Sequence, residues 1–257
     1  MVDQVRSPLS DVVLRREVLL LLGVSLGQSA LYSIVSFVGK LTAPAPLSTQ
    51  TTTLNPSQAP GRPWLDLSYQ LLGVLFNVVP ALLAIHLLRR DHADVPSSLG
   101  LDRRRPAFDL LTGVGITAAI GIPGIGLYVL AKELGINTAV AAANLPDIWW
   151  AVPVLILAAI GNAVIEEVVV VGYLLTRLGD LRWGRWPAIV ASALLRGSYH
   201  LYQGVGGFVG NIVMGLAFGW FFTRTRRLWP LIVAHTLLDV IAYLGYTYLA
   251  DKVGFLK

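Results

Sequence analysis

Six side chains in this sequence could do chemistry, and all six lie where water is scarce. Glu166 and Glu167 are adjacent and are the only charged residues between positions 151 and 175. Arg196 and His200 follow in the next apolar run, and His235 and Asp239 in the last one. A carboxylate at the centre of a hydrocarbon layer costs about 3 kcal/mol on insertion scales, so such groups persist only beside partners or water. Carboxylates and imidazoles trade protons, bind metal ions and hold water, and a guanidinium neutralises what they leave behind. The set therefore points to proton-transfer catalysis, metal ligation or proton-coupled transport.

Spacing groups them further. His235 and Asp239 are four residues apart, as are Arg196 and His200, and residues at that separation share a helix face. Glu166 and Glu167 diverge by about 100° on a helix, so one can face a cavity while the other meets a supporting partner. Counting about 1.5 Å per residue from the basic end of each run puts Glu166 and Asp239 about 16 Å deep. His200 is about 21 Å deep and His235 about 10 Å. Three elements thus carry their polar residues into one slab near mid-bilayer. His86 and His92 fall at the end of an apolar run and in a loop, where they read as interfacial and solvated.

The elements that must position these residues are membrane helices. The chain has 257 residues, 55% hydrophobic and 14% charged, with mean hydropathy +0.66. Soluble domains carry roughly 25% charged residues. Apolar runs at 18–38, 67–88, 108–131, 148–176, 187–202, 207–223 and 228–249 predict an all-α, polytopic transmembrane bundle of about seven spans. Continuous rather than alternating apolarity excludes a transmembrane β-barrel. The first run is longer than the 7–15 residues of a signal-peptide core and reads as a helix that stays. Within 108–131, Gly113, Gly115 and Ala118 have the outline of a dinucleotide loop. Inside an apolar run they read as close helix packing.

Fourteen Lys and Arg residues fall at the N-terminus and in alternate loops on one side, against five on the other. That bias predicts a cytoplasmic N-terminus. It also explains the net charge of +5 without nucleic acid as a partner. With no Cys, thiol catalysis, disulfides and Cys-ligated metals are excluded. The predicted organisation is a cytoplasmic segment at 1–17 and membrane helices over 18–145, with a flexible Pro/Thr-rich outer loop at 42–63. A catalytic core at 146–250 and a tail at 251–257 complete it.

Three motifs in order resemble the CPBP family, the type II CAAX prenyl endopeptidases and bacteriocin-processing (Abi) membrane proteins. The first is Glu166-Glu167 followed by Gly172-Tyr173-Leu174, the second ends in Tyr199-His200, and the third is His235-Thr236-Leu237-Leu238-Asp239. The resemblance covers roughly 150–245. It implies an intramembrane endopeptidase acting on a membrane-associated protein or peptide, among membrane lipids, with a bacterial plasma membrane as the expected location. It implies catalytic roles for Glu166, Glu167, His200, His235 and Asp239, with Glu166 as general base on a water. No cofactor is expected; in the metal-dependent alternative Glu166, His200 and His235 would hold Zn²⁺. Two positions depart from the family. Val171 stands where it has Arg, and Arg196 where it has an aromatic residue. Arg196 is therefore expected to supply from the next helix the charge that Val171 lacks. The rival readings are a non-catalytic scaffold or immunity-type protein and, behind it, a proton-coupled transporter.

Overall fold

The computed structural model describes residues 9–143, 145 and 148–249. The expected tail at 251–257 and the first eight residues lie outside that range. The chain opens with α1 (Asp11–Gly23) and α2 (Leu26–Leu41), bent by 50° at the break between them. β1 (Thr51–Asn55) precedes α3 (Pro63–Leu88), the short α4 (Val95–Ser98), α5 (Pro106–Glu133) and β2 (Ala139–Ala143). Then come α6 (Ala151–Glu166), a π-helical segment (Glu167–Tyr173), α7 (Leu174–Asp180), α8 (Arg185–Ser198), α9 (Val205–Thr225) and α10 (Trp229–Leu249).

The apolar runs do become helices, and the molecule is an all-α integral membrane bundle. The span count is less even than the runs suggested. Among the described residues four helices have the length and apolarity to cross a bilayer, and a fifth crossing is available if α1 and α2 act as one bent span. α8 has 14 residues, about 21 Å of rise against a hydrocarbon core of about 30 Å. α10 contributes the shorter apolar stretch Trp229–Gly245.

The 42–63 segment is more ordered than its composition predicted. Thr51–Asn55 pairs in parallel with Ala139–Ala143, with Thr51 opposite Ala139 and Asn55 opposite Ala143. The threonines of that stretch favour an extended backbone, and β2 supplies the ladder that a lone strand lacks. This two-stranded ribbon sits at the end of the bundle opposite the arginine-rich loops.

At the arginine-rich end, Arg177 is fully buried and ties three segments together. Its guanidinium reaches Asp91 at 2.6 Å, Asp180 at 3.1 Å and Glu17 at 3.2 Å, and donates to the Leu87 carbonyl. Arg227 pairs with Asp109 at 2.7 Å, fastening the entry of α10 to α5. His92 is not simply solvated: its Nε2 lies 3.1 Å from Asp180, which raises its pKa above the ordinary value of 6.5.

Small residues let the helices that carry the site approach closely. A Cβ on Gly113 would lie 2.5 Å from Val233 and one on Gly121 2.9 Å from Leu238, so these two glycines of α5 serve packing against α10, whereas Gly115 faces open space. On α9, a Cβ on Gly215 would lie 2.8 Å from the Ala193 backbone of α8 and 3.3 Å from the Arg196 side chain. Backbone cannot yield as a side-chain tip can. Gly215→Val is expected to destabilise the protein by about 1–3 kcal/mol through overpacking, read as a lower melting temperature in detergent. An unchanged melting temperature would show that α8 and α9 can separate freely.

Candidate active site

Glu166 closes the regular part of α6, and the backbone widens into a π-helix from Glu167 onward. All seven residues of that wide segment are buried. π-helical turns are rare and gather at functional sites, because the extra residue per turn re-aims side chains and frees carbonyls. Here the Val170 carbonyl accepts from Ser192 Oγ at 2.7 Å, which stitches the segment to α8.

The two carboxylates live in different surroundings. Glu167 is 0% exposed and Glu166 8%. Glu167 Oε1 accepts from Arg196 Nη2 at 2.6 Å and lies 2.7 Å from His235 Nδ1. Glu166 Oε2 accepts from the Tyr199 hydroxyl at 2.8 Å and lies 3.6 Å from Arg196 Nη1. The guanidinium from α8 thus addresses both acids, tightly only the deeper one. Its carbon also lies over the Phe218 ring at 5.3 Å, and this stacking covers the face of the charge that carries no N–H.

His200 is not on a helix. α8 ends at Ser198, and His200 sits in the turn before a short 3₁₀ segment at Leu201–Gln203. Its Nδ1 lies 3.0 Å from the Arg196 carbonyl oxygen. A carbonyl only accepts, so Nδ1 carries the hydrogen and Nε2 of the neutral ring keeps its lone pair. The same geometric rule orients His235, whose Nδ1–H faces Glu167. Its Nε2 lies on the Asp239 side, 3.8 Å from Oδ1.

Behind Asp239 runs a line of neutral polar groups that an inventory of ionisable residues passed over. The Tyr243 hydroxyl donates to Asp239 Oδ2 at 3.3 Å and accepts from Asn162 Nδ2 at 3.2 Å. Asn162 Oδ1 in turn accepts from Asn77 Nδ2 at 2.8 Å. The signal was available: Tyr243 is one turn beyond Asp239, and Asn77 and Asn162 are amides inside long apolar helices. Tyr199 lies within the second motif, where the sequence gives its hydroxyl no role.

Glu166, His200 and His235 do not bring three ligand atoms within 4.8 Å of one another. Among the described residues only Asp91, His92 and Asp180 do so, and there the Arg177 guanidinium already occupies both aspartates. With Arg196 as a fixed cation beside Glu166, the residues present do not fit a Zn²⁺ centre at the buried cluster.

Residues 148–241 match the family model of the type II CAAX prenyl endopeptidase Rce1-like proteins. Over this segment, its Rce1-like core, the chain is similar to that family. That segment contains both glutamates, Arg196, Tyr199, His200, His235 and Asp239. Neither the curated proteins nor the solved structures contain a match to this chain. The matched segment begins at residue 148, so the first 147 residues stand outside it.

Proposed function

We propose that the protein is an intramembrane endopeptidase that hydrolyses a peptide bond of a membrane-associated protein or peptide, with Glu166 as general base. The observation that carries this reading is the division of labour between the two acids. Glu167 is consumed by Arg196 and His235, whereas Glu166 meets the site through one hydroxyl and a looser contact with the guanidinium. The water that attacks the scissile carbonyl gives its proton to Glu166. His200 Nε2 accepts the water's second hydrogen and so fixes its orientation. As the carbonyl oxygen gains charge, His235 in its imidazolium form donates from Nε2. Glu167 holds the opposite side of that ring, and Asp239 stabilises its charge. Collapse of the tetrahedral intermediate breaks the C–N bond, and the proton on Glu166 passes to the leaving amine. Glu167, Arg196 and Tyr199 position these groups.

In the same reading α8 and α10 complete seven crossings, the bent α1–α2 pair being the first. The N-terminus and the arginine-rich loops then face the cytoplasm of a bacterial cell. The ribbon lies on the far side, beside the turn that bears His200.

The test uses the full chain in liposomes with a farnesylated CAAX-type peptide and its unprenylated counterpart, in water enriched in ¹⁸O. A single cut that places one ¹⁸O in the new carboxylate is expected, and it should persist in EDTA. Intact peptide in both cases would overturn the peptidase reading. Activity lost in EDTA and restored by Zn²⁺ would overturn the metal-independent one.

A further inference from the structure

The turn that carries His200 is fastened almost entirely by residues that precede the Rce1-like core. The Tyr202 amide donates to Ser33 Oγ on α2 at 2.7 Å. The Tyr202 carbonyl accepts from Lys40 Nζ at 2.6 Å. The Lys40 ammonium also meets Thr52 Oγ1 on β1 and lies 5.9 Å from the Tyr202 ring centre. Thr52 and Thr138 share a hydroxyl–hydroxyl bond of 2.8 Å, and the Gln203 carbonyl accepts from both the amide and the hydroxyl of Thr138 at 3.0 Å. One residue further on, Gly204 has φ +119°, and a Cβ there would lie 2.5 Å from Asn137 Oδ1. The Val205 amide then bonds the Ile136 carbonyl at 2.9 Å. Successive backbone groups from 202 to 205 are thus claimed by α2, β1 and the stretch before β2.

His200 itself makes only one hydrogen bond to the core that fixes its ring, at the Arg196 carbonyl. The imidazole is therefore aimed from both sides: by the end of α8 behind it and by the clamp ahead of it. Lys40 is the only charged group in that clamp, and it joins two elements, α2 and β1, to the turn at one point. Charge-assisted hydrogen bonds are about twice as strong as neutral ones. The ammonium is therefore the strongest single fastening on the turn.

We infer that Lys40 is a positioning residue for His200: its ammonium, seated on Thr52 and the Tyr202 carbonyl, holds the turn so that His200 keeps Nδ1–H on Arg196 and presents Nε2 to the water beside Glu166. The catalytic consequence rests on the peptidase reading; the structural one does not. The segment before the Rce1-like core is on this view a working part of the site, reaching it through β1 and the end of α2.

The test compares Lys40→Met and Lys40→Arg in the full-length, detergent-solubilised chain. The sequence has four histidines, so ¹⁵N-histidine spectra are simple to assign, with His200→Gln identifying the His200 signals. Wild-type protein is expected to show His200 as a single Nδ1–H tautomer. Lys40→Met should mix its tautomers while His86, His92 and His235 keep their signals, and Lys40→Arg should restore the wild-type pattern. In the cleavage assay Lys40→Met should lower kcat by about 10- to 100-fold at constant KM, the scale of a misplaced catalytic group. Unchanged His200 signals in Lys40→Met would overturn the inference, as would a change in all four histidines together. Should Lys40→Met fail to fold, Thr52→Val removes the same seat and is read in the same way. If wild-type protein cleaves nothing, the peptidase reading falls, and the spectra still decide the clamp.

Discussion

Glu166→Gln is expected to lower kcat for peptide cleavage by about 10²- to 10⁴-fold, the range of a positioned general base. The amide keeps the volume of the acid and can still accept from the Tyr199 hydroxyl, which lies 2.8 Å away. What it loses is the capacity to take a proton from water and return it to the leaving amine. Folding should be nearly untouched, because Arg196 makes its short contact to Glu167 and stands 3.6 Å from Glu166. The decisive comparison is therefore activity against melting temperature. A Glu166→Gln protein that cleaves at the wild-type rate would end the peptidase reading and leave the scaffold reading in its place.

Arg196→Met should do the opposite, with stability as the first casualty. Arg196 and Glu167 are both 0% exposed and 2.6 Å apart. Removing the guanidinium strands a carboxylate where no solvent reaches it, a change that typically costs about 3–5 kcal/mol. Methionine preserves much of the side-chain length and its contact with Phe218, so the loss is electrostatic rather than a cavity. Adding Glu167→Gln to the same chain should recover much of the loss, since neither charge then remains unpaired. The double-mutant cycle measured by unfolding in detergent isolates that coupling. Additive effects of the two substitutions would show that the pair is not a unit. Arg196→Lys should recover only part of the stability: an ammonium lacks the planar fork that reaches both acids and stacks on the ring.

Much of this site was legible because charge in an apolar run is conspicuous. Glu166, His200, His235 and Asp239 could be placed in one slab by arithmetic, and the missing arginine at Val171 pointed to Arg196. Three features were not legible, each for a physical reason. The π-helical segment is a choice among backbone hydrogen-bond partners that valines do not dictate. The position of His200 in a turn follows from where α8 stops, and Gly197-Ser198 gives only a weak stop signal. The ribbon pairs residues far apart in the chain, so composition described 42–63 locally and missed the partner strand. Asn77, Asn162 and Tyr243 are uncharged, so they do not stand out in an apolar run as a carboxylate or guanidinium does.

The length of α8 also bears on how the protein is made. A 14-residue helix with an arginine in its last turn is a poor candidate for independent entry into a bilayer. Arginine at mid-membrane alone costs about 2.5–3.5 kcal/mol on insertion scales. Its counter-charge is synthesised first: Glu167 precedes Arg196 by 29 residues, and His235 follows Glu167 by 68. α6 can therefore wait at the insertion machinery with its acids, and α8 can partition as half of a hairpin in which Arg196 already meets Glu167. α10 is synthesised last, and it brings the His235 and Asp239 that complete the buried cluster.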